Sequence, residues 1–483
     1  MLDTPFRPAK ELAAEIRRKK IGCLELLDLY LSRLEKHNPS LNAIIATDVD
    51  GARKRARAAD RALARKQVWG PLHGVPMTIK ESYDVVGMPT TWGIPALKDN
   101  VPPRNGLTAD RFLGAGVVLF GKTNVPIFLA DYQSYNAIYG TTNNPWDLSR
   151  SPGGSSGGSA AALAAGLTGI EAGSDIGSSI RNPAHYCGVY GHKPTFGIVP
   201  QHGQTLGRAA QTDITVNGPM GRSAEDLEIA LAVMAGPDEI DAAGYKLALP
   251  APRQKVLRDF KVAVMLTDPN SEVDTEVQEK VQAVADFLAR RRAKVSDTAR
   301  PDIDTGEAQR AYIHLLRSAT SPRQTQEEFE KNLQIANGLS AADESYYARM
   351  QRGNTGSHRG WLLVNETRHK MRLKWARFFT DYDLLICPVA ASAAFPHDHQ
   401  GERWERTIEV NGHRVPTTDQ LFWAGYPGMA YLPSTAAPAG FTKSGLPVGV
   451  QIIGPQYGDR TCIHMARLLE REYQGFVPPP DYV

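Results

Sequence analysis

The stretch that decides the fold lies between residues 150 and 184 and reads RSPGGSSGGSAAALAAGLTGIEAGSDIGSSIRNPA. It holds two turns rich in glycine and serine, 153–159 and 173–179, which are joined by an alanine-rich run. Glycine costs about 0.5–1 kcal/mol relative to alanine inside a regular element, so this density indicates an unusual backbone or the close approach of a ligand. A flexible linker rarely encloses a strong helix former. The stretch therefore predicts a site on two turns, separated by a helix over about 157–165.

The composition is that of an ordinary globular protein. The chain has 483 residues, of which 42% are hydrophobic and 22% charged, and its net charge is only +3. This balance favours neither nucleic acid nor a membrane surface as a partner, and no uncharged apolar run approaches the ~20 residues that span a bilayer. We expect a cytoplasmic protein that is a monomer or a homodimer. The cysteines form neither a zinc nor a disulfide pattern, so we expect reduced thiols. They are Cys23, Cys187, Cys387 and Cys462.

Around the glycine-serine stretch, strand-like apolar runs alternate with helical patterns, which predicts an α/β fold. We expect an N-terminal helical segment over 1–70 and a core carrying the motifs over 71–236. The charge-rich segment 237–380, with one strand near 261–266, is predicted to be a mostly helical insertion or cover. Strand-like runs return in 381–483, which we assign to the core.

Serine chemistry at the turns requires a base and prearranged donors for an oxyanion. One candidate base is His185, in a Ser–His–Asp arrangement with Asp175 or Asp213, although no GxSxG elbow frames Ser178 or Ser179. The other is Lys80, at the end of a short alternating strand. A lysine serves as a base only when neutral, and burial can lower its pKa by up to about 3–5 units. The residue pattern alone leaves both candidates open.

Five segments together resemble the amidase signature family. They are GGSSGGS at 153–159, GSDIGSSIR at 173–181, CGVYGHKPT at 187–195, GVPMTIK at 74–80 and GLPVGVQIIG at 445–454. The resemblance is greatest to bacterial members of the 6-aminohexanoate cyclic dimer hydrolase and aryl acylamidase types. It implies a central mixed β-sheet with helices on both faces.

The resemblance also implies a Ser–cis-Ser–Lys triad without metal or cofactor, in which Ser179 is the nucleophile, Ser155 the bridging serine and Lys80 the base. The peptide bond between Gly154 and Ser155 is expected to be cis. Small amides, including aryl, cyclic or linear amides, and related carbamates or esters, would be cleaved with water through an acyl-enzyme. The resemblance implies an oxyanion hole formed by the backbone N–H groups of Ile176, Gly177, Ser178 and Ser179. It also implies that the charged pair of Asp175 and Arg181 stabilises this turn.

Two alternatives remain beside the stand-alone amidase. The A subunit of the glutamine-dependent aminoacyl-tRNA amidotransferase has a similar length, but usually reads Asp-Thr-Gly-Gly-Ser where this chain has Asp-Ile-Gly-Ser-Ser at 175–179. A binding relative that has lost catalysis is the second. The family usually has a glycine where this chain has Ser178, and we expect function to survive this change with a narrower pocket.

Side chains near the turns are candidates for binding the substrate. The loop after Ile127 and the aromatic residues near 422 indicate an apolar or aromatic substrate. The predicted contacts are Leu129, Gln133, Tyr135, Phe422 and Trp423.

Overall fold

A computed structural model describes residues 3–483, which contain fourteen α-helices and fifteen β-strands. The helices are α1 (Ala9–Arg17), α2 (Cys23–Leu41), α3 (Val49–Ala64), α4 (Leu107–Gly114), α5 (Gly157–Ala164), α6 (Arg181–Cys187), α7 (Ala224–Met234), α8 (Thr275–Arg290), α9 (Thr305–Thr320), α10 (Gln326–Gly338), α11 (Tyr346–Asn354), α12 (His358–Asp381), α13 (Leu421–Gly428) and α14 (Asp459–Glu472). In this described part of the chain, no helix combines the length and apolarity that a membrane crossing needs.

The strands are β1 (Ile44–Thr47), β2 (Pro76–Lys80), β3 (Val118–Thr123), β4 (Tyr135–Asn136), β5 (Gly140–Thr141), β6 (Glu171–Asp175), β7 (Tyr190–Lys193), β8 (Val216–Gly221), β9 (Lys261–Val264), β10 (Lys294–Ser296), β11 (Leu384–Pro388), β12 (Thr407–Val410), β13 (His413–Pro416), β14 (Ser434–Phe441) and β15 (Pro447–Ile453). Eight of them form the main sheet in the order β10-β9-β11-β15-β14-β7-β8-β6. The pairs β10/β9 and β9/β11 are parallel and the others antiparallel, so the prediction of a mixed sheet is confirmed.

Helices pack on both faces of this sheet, as the resemblance implied. On β15 the side chain of Gln451 contacts Arg181 of α6. On the alternate positions, a Cβ at Gly454 would lie 2.5 Å from Cys462 Sγ of α14, and one at Gly440, opposite Val448, would lie 3.4 Å from Cδ of Lys280 in α8. Since successive side chains of a strand point to opposite faces, α6 lies on one face and α8 and α14 on the other.

A separate three-stranded sheet, β1-β3-β2, carries Lys80 to the site. Its strand β2 runs beside β6: the N–H of Thr78 donates to Oγ1 of Thr168 (2.9 Å), and the Tyr83 hydroxyl donates to the Gly173 carbonyl (2.7 Å). Lys80, the last residue of β2, therefore ends next to the second glycine-serine turn.

The segment 237–380 contributes to the sheet as well as covering it. Besides the helices α8 to α12, it supplies the strands β9 and β10 at one edge of the main sheet. The sequence indicated β9 but not β10. The latter has only three residues, Lys-Val-Ser, with its first side chain exposed, and so lacks an alternating apolar pattern.

Candidate active site

Lys80 is completely buried between the two glycine-serine turns. Its Nζ lies 2.7 Å from Oγ of Ser155, 3.0 Å from Oγ of Ser174 and 3.4 Å from the Ser174 carbonyl oxygen. Burial lowers the pKa of Lys80 to about 7, although the charge of Asp175 opposes this shift. A substantial fraction of this amine is therefore neutral near pH 7 and able to accept a proton.

The first turn places Ser155 against this amine. The Gly154–Ser155 peptide bond is cis, as the resemblance implied. A Cβ at Gly154 would lie 2.2 Å from the carbonyl oxygen of Asp131, so only glycine fits there. The N–H of Ser156 donates to the Ser179 carbonyl at 3.1 Å, which ties the first turn to the second.

The second turn is wrapped around the buried carboxylate of Asp175. That carboxylate accepts hydrogen bonds from the N–H groups of Ser178 (2.9 Å) and Ile180 (3.1 Å), and from Nη2 of Arg181 (2.8 Å). Burial opposes its ionisation, but the charge and hydrogen bonds of Arg181 outweigh that effect and hold its pKa below the ordinary value. Gln451 fixes the other end of Arg181 through a 2.6 Å bond to Nη1. The charged pair thus braces the turn.

The hydrogen bond to Asp175 corrects the expected set of oxyanion donors. Ser178 has one backbone N–H, and because the turn folds around the carboxylate, that group already donates to it. Among the described residues, no acceptor satisfies the N–H groups of Ile176, Gly177 and Ser179. All three residues border the adjacent cavity, so their N–H groups are free to donate to a molecule bound there.

Ser179 lies between two cavities. The larger encloses about 690 Å³ and is bordered by Ile176, Gly177 and Ser179. The smaller, of about 320 Å³, is bordered by Ser155, Ser174 and again Ser179. A molecule in the larger cavity therefore lies next to Ser179, and Ser155 borders the smaller cavity.

His185 is not placed to act as a base. Its Nδ1 accepts the N–H of Gly449 (2.7 Å), and its Nε2 lies 3.0 Å from the Ser392 carbonyl oxygen. Burial lowers its pKa to about 4. Asp213 forms an ion pair with Arg368 at 2.8 Å. Both ring nitrogens are thus occupied by the backbone, and the Ser–His–Asp arrangement is not formed.

Only one of the five predicted substrate contacts borders the site, namely Leu129, which lines both cavities. The other four are corrected. The Gln133 amide bonds to the backbone of Asp398 on both sides, and Tyr135 stacks on His399 with ring centroids 3.7 Å apart. Phe422 and Trp423 lie in a buried apolar cluster. Hydrogen bonding, ring stacking and core packing occupy the side chains of these four residues instead.

Several residues at the site were not predicted from the sequence. Ser174 holds the amine of Lys80, and Gln204 donates to Ser174 Oγ at 3.0 Å. Ser174 lies in the segment 173–181, directly before Asp175, so the sequence could have identified it as a site residue. Three arginines on the cavity wall follow no local motif: Arg317, Arg323 and Arg403.

The described residues include no cluster of three His, Cys, Asp or Glu side chains that could hold a metal ion. The four cysteines are buried and free.

Fold and site thus define an α/β protein in which clustered serines border a cleft and contact a lysine buried behind them. Residues 25–463 match the family model named Amidase, and the chain belongs to that family. The family prediction is confirmed, and so is the enzyme class: family members hydrolyse amide C–N bonds, and this chain is an enzyme of that kind.

Among its relatives is an acylamidase from Rhodococcus erythropolis, 33% identical over 96% of this chain and 94% of the relative. The A subunit of the glutamyl-tRNA(Gln) amidotransferase of Anaeromyxobacter sp. (strain K) is 32% identical over 98% and 99%. A bacterial aryl acylamidase structure superposes with a TM-score of 0.82 at 25% identity, covering 97% of this chain and 96% of that one. The 6-aminohexanoate cyclic dimer hydrolase, at 24% identity and a TM-score of 0.78 over 97% of each chain, shares the fold.

Proposed function

We propose that this protein hydrolyses small amides through an acyl-enzyme, with Ser179 as nucleophile, Ser155 as proton relay and Lys80 as base. The observation that carries the proposal is the 2.7 Å contact between the buried Lys80 amine and the Ser155 hydroxyl. A base of pKa about 7 is well matched to proton transfer near neutral pH.

The contacts of Lys80 support a neutral amine that accepts a proton. A neutral amine has two N–H donors and one lone pair. Its donors are satisfied by the hydroxyl and the carbonyl oxygen of Ser174 (3.0 and 3.4 Å). In the neutral amine the lone pair faces the Ser155 hydroxyl, to which the protonated amine donates at 2.7 Å, and this hydroxyl can in turn receive the proton of Ser179.

The reaction proceeds in two acyl transfers. Ser179 Oγ bonds to the amide carbon while its proton passes to Ser155 and the proton of Ser155 to Lys80. The oxyanion accepts hydrogen bonds from the N–H groups of Ile176, Gly177 and Ser179, and the loss of one such donor typically raises the barrier by about 2.7–4 kcal/mol. The C–N bond breaks, the amine leaves with the relayed proton, and water attacks the ester by the same path. The substrates are one small amide and water, without a metal or cofactor.

A substrate panel tests this proposal. The purified protein is assayed on 4-nitroanilides, aliphatic and cyclic amides, esters and carbamates, beside Ser179→Ala and the control Ser444→Ala, which lies on an exposed turn. We expect hydrolysis of at least one amide class by the wild type and the control, and a loss of at least about 10³-fold in Ser179→Ala. Equal activity of Ser179→Ala and the wild type would contradict the proposal.

The similarity to the A subunits of amidotransferases supports a second candidate, in which the chain works with partner proteins and releases ammonia from glutamine. We favour the stand-alone amidase, because the chain reads Ile-Gly-Ser-Ser at 176–179 where the amidotransferase usually has Thr-Gly-Gly-Ser. Ammonia release from glutamine, measured beside anilide hydrolysis, separates the two. Glutamine turnover without anilide turnover would favour the second candidate.

We also propose a cytoplasmic location, supported by the four free thiols, which suit a reducing compartment. Fractionation of the source cells followed by immunodetection tests it, and recovery outside the cytoplasmic fraction would contradict it.

A further inference from the structure

Three guanidinium groups border the cavity that contains Ser179. Arg317 comes from α9, Arg323 from the turn after it, and Arg403 from the loop before β12. Arg323 also borders the smaller cavity beside Ser155. The remaining wall includes apolar side chains, among them Leu316, Leu421 and Trp404.

These arginines donate to neutral acceptors. Arg323 Nη1 donates to the Phe128 carbonyl (2.7 Å), Arg403 Nη1 to the Ala130 carbonyl, and Arg317 Nη2 to the hydroxyl of a tyrosine, Tyr346. Within residues 3–483 no carboxylate forms an ion pair with any of the three. The Nε of Arg317 is buried and has no hydrogen-bond acceptor among these residues.

The nearby acidic groups leave this positive charge largely uncompensated. Asp131 borders the cavity, but its carboxylate is paired with Arg406 at 2.8 Å. Burial lowers the pKa of Arg403, although the negative charges of Asp131 and Glu402 oppose this shift. Burial, together with the charges of neighbouring arginines, lowers the pKa of Arg317 to about 9 and that of Arg323 to about 10.

The three guanidinium groups are partly buried, and charges of one sign held close together in such a setting are costly unless a counter-charge binds among them. The planar fork of a guanidinium matches the two oxygens of a carboxylate. We propose that the amide substrate carries a carboxylate, which binds to Arg317, Arg323 and Arg403 while the amide carbon lies at Ser179. This inference rests on the proposed function and specifies its substrate class: amides with one anionic end joined to the amide through an apolar portion.

Two pairs of matched substrates test it, one with the carboxylate in the acyl part and one with it in the amine part. Glutaryl mono-4-nitroanilide is compared with 5-methylhexanoyl 4-nitroanilide, and 4-acetamidobenzoate with 4-isopropylacetanilide. In each pair an isopropyl group replaces the carboxylate at nearly equal shape. We expect kcat/KM to be at least tenfold higher for the carboxylate in one pair or both. Preference for the neutral compound in both pairs, or equal rates, would overturn the inference.

Variants of the cavity wall give a second readout. Arg317→Gln should lower the ratio of kcat/KM between the preferred carboxylate and its neutral partner at least tenfold, and Arg317→Lys should restore part of it. Arg323→Gln replaces Arg317→Gln if the latter does not fold. The control is Arg359→Gln, whose side chain is exposed on α12. A ratio unchanged in folded variants of both cavity arginines would also overturn the inference.

A fluorophosphonate probe separates failure of this inference from failure of the proposed function. The probe reacts with an activated serine and carries no carboxylate. Labelling of Ser179 together with no preference for the carboxylate substrates would remove only the present inference. Absence of labelling would remove the proposed function as well.

Discussion

The amino group of Lys80 lies 2.7 Å from the hydroxyl oxygen of Ser155, and both side chains are buried. The surrounding serine groups do not fully offset the cost of burying a charged amine. Burial is therefore the largest influence on the pKa of Lys80 and lowers it to about 7. The pair connects β2 of the small sheet to the first turn. It therefore joins two parts of the site that are 75 residues apart in sequence.

Removal of the Lys80 amine should abolish the reaction. Lys80→Met keeps most of the side-chain volume but removes the proton acceptor, so we expect kcat/KM for any hydrolysed amide to fall about 10²–10⁴-fold. Steady-state kinetics measure this, with circular dichroism to show that the variant is folded. His185→Gln is the matched control and should retain more than a third of the activity. The reverse pattern would assign the base to His185.

The pH dependence should follow the amine of Lys80. Only the neutral amine accepts a proton, and its pKa is about 7. We therefore expect kcat/KM to rise tenfold per pH unit well below pH 7 and to level off above it. The measurement is a profile between pH 5 and 9 in buffers of constant ionic strength. A profile that is flat from pH 5 to 8 would contradict a base of this pKa.

Arg181 should be essential for stability, because it neutralises the buried Asp175. Arg181→Met leaves that carboxylate without its cation, and breaking a buried pair costs about 3–5 kcal/mol. The midpoint of urea unfolding reports the loss. Lys370→Met is the control: its pair with Glu366 is exposed, so the change should stay within about 0.5 kcal/mol. A comparable small loss for Arg181→Met would show that the pair does not brace the turn.

Ser178→Gly should stabilise the protein. Ser178 has a φ of 74°, and its Oγ is buried without a hydrogen-bond partner among the described residues. The left-handed backbone costs a residue with a Cβ about 1–2 kcal/mol, of which the greater freedom of glycine in the unfolded chain cancels about half. We expect a gain of about 0.5–1 kcal/mol in unfolding free energy, with hydrolysis retained. Destabilisation by more than 1 kcal/mol would indicate that the Ser178 side chain has a role of its own.

Local motifs made much of this site predictable. The two turns, the helix between them, the strand that ends at Lys80 and the Asp175–Arg181 pair all lie in short segments with strong residue preferences. The direction in which a single N–H points depends on the detailed conformation of the turn. The sequence therefore did not predict that the N–H of Ser178 donates a hydrogen bond to Asp175.

The walls of the cavity could not be predicted in the same way. Arg317 and Arg403 are 138 and 224 residues after Ser179 in the numbering, and only the packing of α9 and the loop before β12 brings them to its cavity. Tyr135 is close to the motifs in sequence, but stacking on His399 turns its ring away. Long-range packing, rather than local propensity, thus decides substrate contacts here.

The site of covalent labelling by a fluorophosphonate tests the central claim most directly. After reaction at pH 8, peptide mass spectrometry should locate the adduct on Ser179, and Lys80→Met should label at least a hundredfold more slowly. An adduct on a different residue, or unlabelled wild-type protein that is folded, would contradict the assignment of Ser179 as the nucleophile.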